Sequence, residues 1–177
     1  RMNIVHRDLH DGNVVVHRTK DGLVSAGLID FGRSLFLPRA IETRPQGSPF
    51  RNPPEILLQS YSEIDQKKAD VFALGCCFYR LFFGKMYSGS YMYNPRSVKS
   101  MKKSERKTRY RYVQKRYESE FSRRNETLSQ TADSQAPLSF MAIFKKNIFL
   151  MIEPKPQKRI ALSQVAKMID DAIGMEH

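Results

Sequence analysis

Between Lys67 and Phe83 the sequence reads K-K-A-D-V-F-A-L-G-C-C-F-Y-R-L-F-F, which places apolar side chains on nearly every side of one helix, and Gly84 ends it. Such a helix must be surrounded by the rest of the chain rather than laid on a surface. The flanking sequence supplies the cover. Leu138 to Ile152 reads as a second helix, stopped before Pro154 and Pro156 because proline lacks the amide proton and clashes with the preceding turn. A third runs from about Leu162 to Ile173, with Leu162, Val165, Ile169, Ala172 and Ile173 on one stripe and Gly174 closing it. Ile4-Val5 and Val14 to Val16 are short β-branched runs. R-T-K-D-G at 18–22 forms a turn before a strand ending at Leu28-Ile29, which predicts a hairpin. The expected class is α+β, mainly helical, with one small β-hairpin.

The chain has 177 residues, 41% apolar and 27% charged, the composition of one soluble domain with a sizeable core. Its net charge of +12 favours anionic partners. That charge is concentrated: residues 85–124 hold 13 Lys and Arg against Glu105, Glu118 and Glu120, and the rest of the chain contributes only +2. The same stretch carries six of the eight tyrosines. Lysine and arginine neutralise phosphates and tyrosines stack on bases, so one reading of this segment is contact with nucleic acid, an anionic membrane or an acidic protein. The plainer reading is a solvated, partly disordered insert. No run approaches the roughly 18 apolar residues of a spanning helix, so no transmembrane segment is expected. Cys76 and Cys77 are adjacent and cannot staple distant segments. Two buried thiols suit a reducing compartment, so the expected location is intracellular, in the cytoplasm. The chain opens on Arg1 without a signal segment and reads as a piece of something longer.

The strings that carry chemistry are V-H-R-D-L-H-D-G-N at 5–13 and L-I-D-F-G at 28–32, each following a short apolar strand. An Asp and an Asn five residues apart at a strand-to-loop junction can put a carboxylate beside an acceptor hydroxyl and an amide oxygen on a metal ion. A second carboxylate completes the metal site. Phosphoryl transfer needs this economy, since its catalysis is mostly positioning and neutralisation of phosphate charge. These strings resemble the catalytic loop and the metal-binding loop of the protein kinase superfamily. The resemblance implies that Asp8 accepts or orients the substrate hydroxyl proton, and that Asn13 and Asp30 hold Mg²⁺ on the phosphates of ATP. It further implies that Arg7 meets an activating phosphate, that His6 and Phe31 pack together to align the loops, and that Val15 floors the adenine.

Three further strings extend it. G-S-P-F-R-N-P-P-E at 47–55 is similar to the end of an activation segment, and its spacing is closer to serine/threonine kinases, in which Ser48 would bond Asp8. K-A-D-V-F-A-L-G at 68–75 resembles the start of the family's central helix, whose aspartate, here Asp70, accepts amide protons from the catalytic loop. K-P-Q-K-R-I-A at 155–161 resembles the late motif whose arginine, here Arg159, pairs with the segment glutamate, here Glu55. An activating phosphate is expected between Phe31 and Pro53, where Ser34, Thr43 and Ser48 lie and Thr43 is the first choice; an unmodified polar loop is the alternative.

The resemblance covers about residues 4–87 and 138–173. It implies a kinase-like large lobe over 1–177, with a hairpin carrying the catalytic and metal loops and a basic, tyrosine-rich insert at about 88–137. No glycine-rich phosphate loop, V-A-I-K lysine or partner glutamate occurs in the sequence. The chain by itself is therefore expected to bind ATP weakly and to transfer phosphate poorly, and the expected reaction is that of an intact protein phosphorylating protein Ser/Thr hydroxyls. Two alternatives stay open. One is a non-catalytic module docking partners or nucleic acid through the basic segment. The other is a small-molecule phosphotransferase of the same fold, toward which His10 leans because serine/threonine-type relatives usually carry lysine there.

Overall fold

The structure, a computed structural model, describes residues 3–22, 24–37, 51–57, 66–87, 102–132 and 140–174. Strand β1 (Ile4–Val5) pairs antiparallel with β4 (Leu35–Phe36), and β2 (Val14–Arg18) forms a hairpin with β3 (Val24–Leu28), Val14 opposite Leu28 and Arg18 opposite Val24. The hairpin turn closes as expected, with Gly22 at φ 86° and its amide donating to the Thr19 carbonyl at 3.0 Å. The β1–β4 pairing had no sequence signal, because two-residue strands are too short to show alternation.

A short helix α1 (Pro54–Leu57) precedes the central helix α2 (Gln66–Phe83), which ends as the sequence predicts, on Gly84 at φ 67°. Two clusters cover α2. Phe72, Cys76 and Tyr79 pack with Tyr87, with Tyr117 of α3 (Lys103–Ala132), and with Ile148, Phe149 and Ile152 on or just after α4 (Phe140–Met151). On another side Val71 meets Met151 and Val165, the last on α5 (Leu162–Gly174). Helices α2 and α4 approach so closely at Gly75 that a Cβ there would lie 2.7 Å from the Met151 Cβ.

As expected, α2 is buried or half-buried around most of its circumference, and it opens to solvent around its last turns, where Leu81 is 73% exposed. One expectation needs correction. Leu162, assigned to the buried stripe of the last helix, is exposed, because it opens α5 beyond the reach of the core while Val165 and Ile169 pack inward. Within 88–137 the structure describes one long helix, Lys103–Ala132, most of whose described side chains are exposed, as a solvated segment requires. Tyr117 and Phe121, four residues apart on one face, supply the contact that anchors it to Phe149.

Candidate active site

The site is built where β1 gives way to a loop over the start of α2. One carboxylate organises it: Asp70 accepts the amide of His6 on Oδ2 at 2.6 Å and the amide of Arg7 on Oδ1 at 2.9 Å. Burial pushes the Asp70 carboxyl up, against the two amide bonds that favour its charged form. Arg7 sits in the left-handed region at φ 68°, a conformation worth about 1–3 kcal/mol of strain in a non-glycine residue. The bonds to Asp70 hold it there.

The His6 ring lies tilted against Phe31 with centroids 4.8 Å apart, and its Nε2 donates to the Ile29 carbonyl at 3.0 Å. Asp8 follows, its side chain 11% exposed, with the Arg33 guanidinium 3.5 Å away. Asn13 closes the loop by donating from Nδ2 to the Asp8 carbonyl at 2.9 Å, while its own amide bonds the His10 carbonyl. The Ile29 amide donates to the Asn13 carbonyl at 3.0 Å, so the residue preceding Asp30 is bonded to the His6–Asn13 loop through both its N–H and its C=O. Asp30 then turns into the left-handed region at φ 61°, and its Oδ1 accepts the Gly32 amide at 3.3 Å. The hairpin thus brings Asn13 and Asp30 together, 17 residues apart in sequence. Val15 is half exposed on the same hairpin, open to a ligand.

Behind the site, Arg159 is buried and uses all five N–H donors. It bonds both oxygens of Glu55, at 2.8 and 3.1 Å, and the carbonyls of Glu153, Lys68 and Pro154, with its guanidinium 4.9 Å from the Phe72 ring centroid. Ser48 and Thr43 lie outside the described residues. Ser34 is described, and its hydroxyl reaches the His6 carbonyl at 3.4 Å.

The family model of the protein kinase domain matches residues 1–169. The chain belongs to the protein kinase domain family. It is 38% identical over 84 residues to calcium-dependent protein kinase 4 of Solanum tuberosum, a match covering 47% of this chain and 14% of that protein. It is 34% identical over 82 residues to a probable serine/threonine-protein kinase of Caenorhabditis elegans, covering 46% of this chain and 11% of that protein. The crystal structure of a kinase domain superposes with a TM-score of 0.52 at 14% identity, over 94% of this chain and 60% of that one, which supports the kinase fold. The match thus spans about a seventh or less of the length of these two relatives and three fifths of the solved domain.

In this kinase domain the oxygen donors of Asn13 and Asp30 fit a magnesium ion. The Asn13 amide is fixed through its nitrogen, which sets the direction of its oxygen, and Asp30 keeps a carboxylate oxygen beyond the one on Gly32. Two hard oxygen ligands leave the remaining positions to phosphate and water, as Mg²⁺ prefers. Sequence reasoning missed the basic side chains around the loop. Asp11 is clamped by Arg51 and Arg80, and Arg33 reaches Asp8. No local pattern announces the Asp11 clamp, since its partners are 40 and 69 residues away. Among the described residues no helix is long and apolar enough to cross a membrane.

Proposed function

We propose that this chain is the large lobe of a protein serine/threonine kinase that moves the γ-phosphoryl group of ATP onto a protein hydroxyl. The observation that carries this reading is the closed set of bonds from Asp70 to the His6 and Arg7 amides, from Asn13 to Asp8, and from Ile29 to Asn13 and His6. It holds one carboxylate at the loop and two oxygen ligands beside it in a fixed relation, which is most of what phosphoryl transfer asks of a protein.

Asp8 receives the proton of the attacking hydroxyl as the new P–O bond forms and the bond to the bridging oxygen of ADP breaks. Asn13 and Asp30 hold Mg²⁺, which when bound neutralises charge on the phosphates. Val15 supports the adenine from below. By the resemblance to serine/threonine kinases, Arg7 would meet a phosphate on the activation segment and Ser48 would bond Asp8.

The test is a phosphotransfer assay with Mg-ATP on the full-length natural protein. Asp8→Asn should cut turnover by about 100-fold or more while sparing nucleotide binding. Asp30→Asn should damage both. Unchanged turnover in the Asp8 variant would sink the assignment.

A further inference from the structure

Helix α3 meets the end of α2 across a groove of about 570 Å³, whose charged lining is Lys85, Lys115, Arg116, Glu120 and Arg123. Four cations line it against one carboxylate, and that carboxylate accepts the Tyr79 hydroxyl at the wall. The lining follows helical register: Tyr112, Arg116, Ser119 and Arg123 fall at steps of four, three and four, so they form one stripe. Lys115 stands beside it. Tyr117 and Phe121 take another face of the same helix into the core.

The groove begins where α2 ends: the Gly84 amide bonds the Arg80 carbonyl at 3.0 Å, and Lys85 follows directly on that closing turn. The Arg80 guanidinium of the same turn bonds Asp11, three residues beyond Asp8, so the turn that leads to the groove is tied to the loop.

We infer that this groove docks an acidic segment, rich in Asp and Glu, of the protein that the kinase phosphorylates. Concavity and charge select this occupant. A membrane-surface helix needs an exposed apolar face, and the described apolar face of α3 is spent on Phe149. Single-stranded nucleic acid needs several exposed rings for stacking, whereas Tyr87 and Tyr117 are buried and Tyr112 is the exposed aromatic of α3 among the described residues. An extended acidic peptide needs only a cationic trough. The naming of the peptide as substrate rests on the proposed kinase activity; the groove and its charge do not.

The test measures fluorescence anisotropy of a labelled peptide of Asp, Glu and Ser against the full chain at several salt concentrations. A uridine oligonucleotide and phosphatidylserine vesicles serve as competing probes. Lys115→Glu with Arg116→Glu should weaken peptide binding about tenfold or more, and Lys102→Glu with Lys107→Glu, an equal charge change outside the groove, should leave it within about threefold. Thermal melting checks that both variants fold, and Lys115→Gln with Arg116→Gln gives a smaller loss of the same sign if the reversed pair does not. No peptide binding, an equal loss in the two reversed variants, or tighter binding of RNA or vesicles through the same two residues would overturn the inference. Asp8→Asn should bind the peptide as the parent does, so absence of phosphotransfer and absence of docking are separate outcomes.

Discussion

In the strand and loop unit of residues 3–37, Val16, Val24, Ile29 and Phe31 are exposed, and order comes from polar bonds at specific backbone atoms, chiefly those to Asp70 and Asn13. In the helical layer, Phe72, Tyr79, Phe149 and Ile152 are almost fully buried, and aromatic rings meet edge to face at 5.4 to 6.4 Å. One region is held by directed bonds, the other by packing. The loop proposed to place a carboxylate and two metal ligands buries Val5, His6, Leu9 and Asn13, while the hairpin and Phe31 beside it stay open to solvent. The loop takes its geometry from the buried layer through a few carboxylate and amide contacts. Variants that damage one region and spare the other test whether that division is real.

The largest effect is expected at Arg159, which belongs wholly to the buried layer. Arg159→Ala leaves Glu55 charged, buried and alone, which should cost about 3–5 kcal/mol and lower cooperative unfolding of the whole chain. Urea denaturation measures it. A loss under about 1 kcal/mol would mean that the ion pair is not stabilising the layer.

Next comes the joint between the regions. Asp70→Asn keeps one acceptor oxygen and turns an amide nitrogen toward a backbone N–H, so one of the two loop amides loses its partner, at up to about 3 kcal/mol. The expected signature is local: hydrogen exchange at His6 and Arg7 speeds up while exchange in α2 and α4 changes little. Uniform acceleration across the helices would break the proposed division.

Much of this was legible in the sequence because it depends on residue types at fixed spacing. The pairing of Asp70 with the loop and of Arg159 with Glu55 was implied by the resemblance that the ordered strings carry to protein kinases, and the hairpin and α2 followed from periodicity and turn residues. What was not legible depends on distance in space. The left-handed backbone of Arg7 and Asp30 is imposed by tertiary bonds, against the preference of arginine in particular. The clamp on Asp11 joins segments with no pattern linking them. The basic segment hid its fold because charge dominates its composition, while two aromatic residues one turn apart decide where it packs.

A third, smaller effect tests packing alone. Gly75→Ala puts a methyl 2.7 Å from the Met151 Cβ and 2.8 Å from the Ile152 Cγ2, both on or beside α4, so the two helices must move apart. Overpacking of this kind should cost about 2 kcal/mol. The melting temperature should fall, with hydrogen exchange at His6 and Arg7 following the global change rather than exceeding it. Preferential loosening of the loop would show that it depends on the α2–α4 spacing as well as on Asp70.

The smallest effect concerns how far α3 belongs to the buried layer. The Tyr117 hydroxyl donates to the Phe149 carbonyl at 2.8 Å, so Tyr117→Phe should cost about 1 kcal/mol at neutral pH. Burial, and after it the charge of Glu153, pushes the Tyr117 phenol above its ordinary value of 10.0. The folded chain then keeps this proton where the unfolded chain releases it. Its contribution to stability is whole below about pH 10 and is lost as pH rises toward the folded value. Tyr87 is raised in the same direction by its burial, so alkaline sensitivity should be reduced in Tyr117→Phe and not abolished. Urea unfolding at neutral pH and above about pH 10 separates the two parts, since the variant should lose stability in the first condition and recover ground relative to the parent in the second. An unchanged difference across pH would place the phenol in solvent and detach α3 from the core that the aromatic contacts assign to it.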